Sequence, residues 1–167
     1  AEEEKESARE SYFDIIANME QKVSQRTQES KELHKMIESK SKELQVMLDS
    51  SPAMVFYMDT DQRYVRVNKE FARTLGLPVK KIIGKTYNEL FPGGEKSFLK
   101  DHLEVMHTGH PILNTKGFID TPSGRRQVFT NKVPYKDING NIIGIIGFAL
   151  DVTDLEQAEK EKRELEE

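Results

Sequence analysis

The chain of 167 residues predicts an α+β fold: a five-stranded antiparallel sheet with short helices on one face, a long helix before it and a second helix after it. Three observations predict it. The first 49 residues contain no glycine or proline and consist mainly of helix formers. Between residues 50 and 151, two short alternating segments are followed by helical turns and then by three further strand-like segments, the order of an α+β domain. Finally, the apolar run Ile142–Leu150 passes without a loop through Asp151-Val152-Thr153-Asp154 into a helix-forming tail. The expected divisions are residues 1–49 (coiled-coil helix), 50–154 (globular domain) and 155–167 (the start of an output helix).

The first segment spaces its apolar residues by threes and fours. Tyr12, Ile16, Met19 and Val23 are followed by Leu33, Ile37, Leu44 and Met47. A sustained heptad of this kind argues for a coiled coil. Arg26, Ser30 and Lys40 fall on the same seam, where polar residues can fix register and partner number. At ~1.5 Å per residue the rod would be roughly 70 Å long. A helix that long has no core of its own, so a homodimer through Ile16, Met19, Val23, Leu33, Ile37, Leu44 and Met47 is expected, with a solvated, partly frayed helix as the alternative.

Ser50-Ser51-Pro52 stops the helix, because the residue before proline disfavours helical angles. Met54–Met58 reads as a strand, Asp59–Gln62 as a turn and Arg63–Asn68 as the hairpin partner. Lys69–Gly76 is a short helix ended by Gly76, and Lys80–Phe91 gives helical turns around Gly84. Glu95–Thr108 is a longer helix with Phe98, Leu99, Leu103 and Met106 on one side. Ile112–Asp120 and Gln127–Tyr135 are strands around the Thr121–Gly124 turn. Asn139-Gly140 predicts a type I′ hairpin into the last strand. That strand is short, β-branched and broken by glycine, so it reads as buried. Thr153 and Glu156 have capping-box spacing, with Asp154 suited to the positive end of the helix dipole. A core strand fused without a loop to a helix transmits any shift of the strand, which is the construction of a relay. Leu155, Ala158, Lys162 and Leu165 continue an a/d-like spacing beyond it.

Composition narrows the chemistry. Twenty-five Lys and Arg against 29 Asp and Glu give a net charge of −4, which does not point to nucleic acid. No cysteine is present, so disulfides, zinc–thiolate sites and thiol nucleophiles are excluded. No apolar run approaches the ~18 residues of a membrane span and no signal peptide is visible. The segment reads as a cytoplasmic piece of a longer protein, which could itself be a membrane-bound receptor. Pro92-Gly93-Gly94-Glu95 is a turn before a helix, without the flanking strands of a nucleotide loop. The four histidines lack a phosphoacceptor context, and no serine–histidine–carboxylate set can be assembled. No catalytic residue and no metal site is expected.

Several separated pieces resemble one family. Ser51-Pro52-Ala53, Tyr64-Val65-Arg66-Val67-Asn68-Lys69-Glu70-Phe71, Ile83-Gly84-Lys85-Thr86, Thr108-Gly109, Lys132-Val133-Pro134-Tyr135 and Asp151-Val152-Thr153 follow the order and spacing of a PAS domain, the sensory module of bacterial signalling proteins. The last piece is similar to the family's Asp-x-Thr signal-transfer motif. Met19–Thr27 resembles linkers of sensor histidine kinases.

The resemblance implies a sheet wrapped by helices around a small pocket, dimerisation through the flanking helices, and an effector domain in cis, a histidine kinase first of all. It makes Phe56, Phe71, Leu75, Leu90, Phe98, His102, Leu103, Phe118, Phe129, Asn131, Ile146 and Phe148 candidates for the pocket lining, and Asp151, Thr153 and Glu156 candidates for signal transfer. A small-molecule ligand is expected more readily than haem or flavin. His102 lies about one turn later than the haem-ligand position, where Phe98 stands. No cysteine is available for a flavin adduct and no tryptophan for stacking. The alternative is a ligand-free module, packed like an ordinary core, that spaces and dimerises coiled coils.

Overall fold

A computed structural model describes residues 2–166. The order of elements is α1 (Glu2–Asp49), β1 (Met54–Asp59), β2 (Tyr64–Val67), α2 (Lys69–Leu75), α3 (Val79–Ile82), α4 (Tyr87–Leu90), α5 (Lys96–Thr108), β3 (Ile112–Thr121), β4 (Gly124–Lys136), β5 (Ile142–Asp151) and α6 (Thr153–Glu166). Two compact units result, divided between Gln45 and Val46. The boundary lies a turn before the end of α1 because that last turn is bonded into the second unit. The Leu48 carbonyl accepts from Asn68 Nδ2, and Asp49 Oδ1 accepts from the Lys69 backbone N–H.

The first unit consists of α1 alone. It buries none of its residues, and Ile16, Met19, Val23, Leu33 and Ile37 remain exposed.

In the second unit the five strands form one sheet in the order β2-β1-β5-β4-β3, with every neighbouring pair antiparallel. Helices α2 to α5 arise between β2 and β3. Where their boundaries are set, the sequence chemistry is visible. Asn68 caps α2 through the Phe71 N–H, and Gly76 ends it at φ 65°, a left-handed conformation that glycine adopts without a Cβ clash. Thr86 and Glu89 form a reciprocal capping box on α4. The core lies between the sheet's inner face and these helices, built on Met54, Phe56, Met58, Tyr64, Phe71, Ile82, Tyr87, Phe98 and Val128.

One contact fixes which face of β5 is inner. Phe56 pairs with Gly147, and its ring lies where a side chain at 147 would stand. Ile145, Gly147 and Ala149 therefore face inward, and Ile146, Phe148 and Leu150 face outward. The β4–β5 connection also differs from the sequence expectation. Gly140 alone takes positive φ (84°), so the turn is not type I′. Instead Asp137 Oδ1 accepts from the Asn139 and Asn141 N–H groups and staples the loop.

Candidate functional site

A cavity of about 40 Å³ lies between the sheet and the helices. It is lined by Met54 and Phe56 of β1, Tyr64 of β2, Phe71 of α2, Tyr87 of α4 and Phe91 just after it, Phe98 and His102 of α5, Ile119 of β3, Val128, Thr130 and Lys132 of β4, and Ala149 of β5. Its walls are aromatic, with Phe56 edge-on to Tyr64, Phe71 and His102 at centroid distances of 5.5, 5.8 and 5.9 Å. This volume holds about three waters.

Polar groups are set into this apolar wall. Lys132, 2% exposed, places Nζ 2.8 Å from Asp101 Oδ2 and 4.8 Å above the centre of the Phe98 ring. Burial pulls the Lys132 pKa down, and the Asp101 carboxylate only partly restores it. His102, equally buried, is driven down to about 3 by burial first and by the Lys132 charge second, so it is neutral at physiological pH. His102 Nδ1, Thr130 Oγ1 and Tyr87 Oη have no hydrogen-bond partner among the described residues. Tyr87 is pushed up to about 12 by burial and then by the Glu95 charge.

Of the expected lining residues, Phe56, Phe71, Phe98 and His102 border the cavity. Leu75 and Leu90 belong to or pack against the surrounding core without reaching it. The other six are corrections. On α5 the inward face is Phe98, His102 and Val105, which leaves Leu103 49% exposed. On β3 to β5 the face is opposite to the one expected. Phe118 is on the outer side against the Arg125 guanidinium, Phe129, Ile146 and Phe148 are on the outer face, and Asn131 uses Oδ1 to bond the Asn114 N–H at the β3 bulge. The physical reason is steric. Aromatics from β1, α2 and α5 fill the interior, so β5 offers the small Gly147 and Ala149 opposite Phe56 and Met54. Met54, Tyr64, Tyr87, Phe91, Ile119 and Ala149 were missed as lining, and so were Val128, Thr130 and Lys132, which form one i, i+2 row that was available in the sequence. A lysine in that row argues against burial until Asp101 is seen beside it.

The second feature is the junction of β5 with α6. Asp151 is still paired with Val128, and the Val152 N–H bonds the Gln127 carbonyl, so strand pairing persists to the last residue before the helix. Asp151 Oδ1 accepts from the Thr153 N–H (3.0 Å) and hydroxyl (2.7 Å), while Oδ2 accepts from Arg126 Nε at 2.6 Å. Burial pushes the Asp151 carboxyl up. The Arg126 and Thr153 hydrogen bonds outweigh it and hold the carboxyl below its ordinary value.

The expected capping box is not formed. Thr153 Oγ1 accepts from the Gln127 N–H of β4, and Glu156 Oε1 is 2.6 Å from Lys116 Nζ of β3. Asp151 does the capping, and Thr153 and Glu156 tie the helix to the sheet. The last turn of α1 enters nearby, because Met54 at the start of β1 pairs with Ala149 near the end of β5. Among the described residues no cluster of His, Asp or Glu is suited to a metal, and no helix is long and apolar enough to cross a membrane.

Fold and cavity together define a class: a single-sheet α+β domain closed by short helices over an internal, aromatic-walled pocket. The profile of the PAS fold family matches residues 48–157, and the chain belongs to that family. It is 28% identical over 118 residues to the methanogenesis regulatory histidine kinase FilI of Methanothrix harundinacea, covering 70% of this chain and 13% of FilI. It is 27% identical over 133 residues to the aerobic respiration control sensor protein ArcB of Escherichia coli, covering 75% and 17%. The chain thus spans less than a fifth of these relatives. Among solved structures, the ligand–DNA complex of VqmA from Vibrio cholerae is similar at 26% identity and TM-score 0.60, over 67% of this chain and 51% of that one. The PAS domain of Bordetella pertussis BvgS shares the fold at 20% identity and TM-score 0.52, over 76% and 97%.

Proposed function

We propose that this chain is the sensor-and-relay domain of a longer signalling protein, a sensor histidine kinase, located in the cytoplasm or on the cytoplasmic side of a membrane receptor. One observation carries the reading. Ala149 lines the cavity, and Asp151, two residues further along the same strand, holds the first turn of α6. A ligand or an upstream movement that shifts β5 by a fraction of an ångström moves a helix start bonded to β3 and β4 as well. A coupling of ~1–3 kcal/mol suffices to switch an effector several-fold. The protein works as a homodimer, in which the exposed seam of α1 (Ile16, Met19, Val23, Leu33, Ile37, Leu44 and Met47) and the apolar side of α6 are covered by a second copy. Sequence likeness to FilI and ArcB supports a kinase as effector, in cis beyond α6.

The relay requires a stiff joint. The chain has no cysteine, so spin labels can be placed cleanly at Lys80→Cys and Glu161→Cys. A narrow distance distribution is expected, broadened by Thr153→Val, which keeps shape and removes the hydroxyl's bonds to the Gln127 N–H and to Asp151 Oδ1 while leaving the backbone N–H bond to Asp151. A broad distribution before the Thr153 change refutes the relay. In the longer protein, Thr153→Val should uncouple output while the fold persists.

The small cavity favours a second reading, a ligand-free spacer between coiled coils. Protein purified from its native host separates the two, because the spacer carries no small molecule in native mass spectrometry.

A further inference from the structure

One charged residue, Lys132, is built into the cavity wall. Lys132 lines the pocket, and Asp101, which is not part of the lining, neutralises it from 2.8 Å away. A charged occupant set beside this already neutral pair would place a net charge in an apolar interior, which is strongly disfavoured. An uncharged molecule meets no such penalty.

The hydrogen-bonding groups narrow the class further. An ammonium has three N–H donors, and Lys132 is seen to use one, on Asp101 Oδ2. Thr130 precedes Lys132 by two residues on the same inner row of β4, and its hydroxyl has no partner among the described residues. His102 follows Asp101 on α5 and presents to the same core an Nδ1 with no partner among the described residues. All three side chains are more than nine-tenths buried and line the one cavity. An occupant must therefore offer an acceptor to Lys132, a donor or acceptor to Thr130 and His102, and flat faces to Phe56, Phe71 and Phe98. At about three waters in volume, it has room for roughly four heavy atoms.

We propose that this pocket binds small, planar, uncharged molecules of the amide class, and that the Lys132–Asp101 pair sets this charge preference. The proposal rests on the sensor reading, in which the cavity is the input. The low pKa of His102 agrees with it, since a neutral imidazole keeps one nitrogen free to accept an amide N–H.

Acetamide and acetate are isosteric probes that differ in charge. Each is titrated into the full chain at pH 7 and constant ionic strength, with backbone ¹H–¹⁵N shifts at Thr130, Lys132, His102 and Ala149 as the readout. Acetamide should saturate below about 100 mM, at least tenfold tighter than acetate, weak binding being all that so few atoms can supply. Asp101→Asn keeps the shape and removes the internal anion, so Lys132 needs a counter-ion and the order should invert in favour of acetate. Lys132→Met, which retains the packing over Phe98, should abolish acetamide binding, and it serves if Asp101→Asn does not fold. Acetate binding the unmodified protein as tightly as acetamide overturns the proposal. So does the absence of a saturable shift with either probe, an unchanged preference in Asp101→Asn, or undiminished acetamide affinity in Lys132→Met. A failed titration leaves the relay standing, because the spin-label distances test that separately and need no ligand.

Discussion

Replacing Asp151 with alanine removes three hydrogen bonds at one stroke: Arg126 Nε at 2.6 Å, the Thr153 N–H at 3.0 Å and the Thr153 hydroxyl at 2.7 Å. The residues left behind are not stranded. Arg126 still reaches Asp154 at 3.3 Å, and Thr153 keeps the Gln127 N–H. The Arg126 and Asp151 side chains are 27% and 28% exposed, so water takes over part of what is lost. The expected cost is therefore about 2 kcal/mol, the range of one charge-assisted hydrogen bond, and not the ~3–5 kcal/mol of a broken buried ion pair. For a domain of this size that lowers the melting temperature by roughly 6–10 °C. The sign with pH follows from the lowered carboxyl. Its contribution is complete at neutral pH, begins to fall as pH drops towards the ordinary value of 3.8, and is gone below the folded-state value. Urea unfolding followed by tyrosine fluorescence measures this, since buried Tyr64 and Tyr87 report on the core and no tryptophan interferes. A loss below about 0.5 kcal/mol at pH 7, the level of an ordinary surface change, refutes the account of the joint. A difference between the two proteins that does not shrink in acid refutes it equally.

Three further outcomes are expected. His102, neutral in the folded state and held near 3, takes up a proton on unfolding below its ordinary 6.5, so stability should decline from about pH 6 downward by up to ~1.4 kcal/mol per pH unit. His102→Phe should flatten that slope in urea melts between pH 7 and 5. Asn68 makes four buried or part-buried bonds, accepting from the Val55 and Phe71 N–H groups and donating to the Leu48 and Ala53 carbonyls. Asn68→Ala should cost about 3 kcal/mol or more by chemical denaturation, more than Asp151→Ala, because two of the groups it leaves, the Val55 and Phe71 N–H, are buried. Gly144→Ala should be worse tolerated than Gly147→Ala in thermal melts. The first drives a methyl into the Met58 backbone carbonyl, whereas the second meets only the Phe56 ring, which can tip into the cavity.

Much of the architecture was legible along the chain because it depends on local chemistry. The glycine- and proline-free stretch to Asp49, the stop at Pro52, Gly76 and Gly109 as helix ends, and the unbroken passage from Leu150 into α6 were each readable from a few neighbouring residues. The joint at Asp151 and Thr153 was legible in place but not in chemistry. Besides the local bonds of Thr153 to Asp151, the sheet partners of Thr153 and Glu156 are Gln127 and Lys116, 26 and 40 residues away in sequence.

The sequence alone determined the order of elements, their lengths and the apolar seam of α1, because helix and strand periodicities and caps are set within a few residues. The tertiary structure decided which face of β3, β4 and β5 looks inward. Ile142–Leu150 is apolar at both parities, so alternation leaves the choice open, and the Phe56 ring over Gly147 makes it. That one contact turns Phe118, Phe129, Asn131, Ile146 and Phe148 outward and brings Thr130 and Lys132 in. Lys132 can stay there because the fold carries Asp101 to 2.8 Å from its ammonium, a pairing that no spacing in the sequence announces.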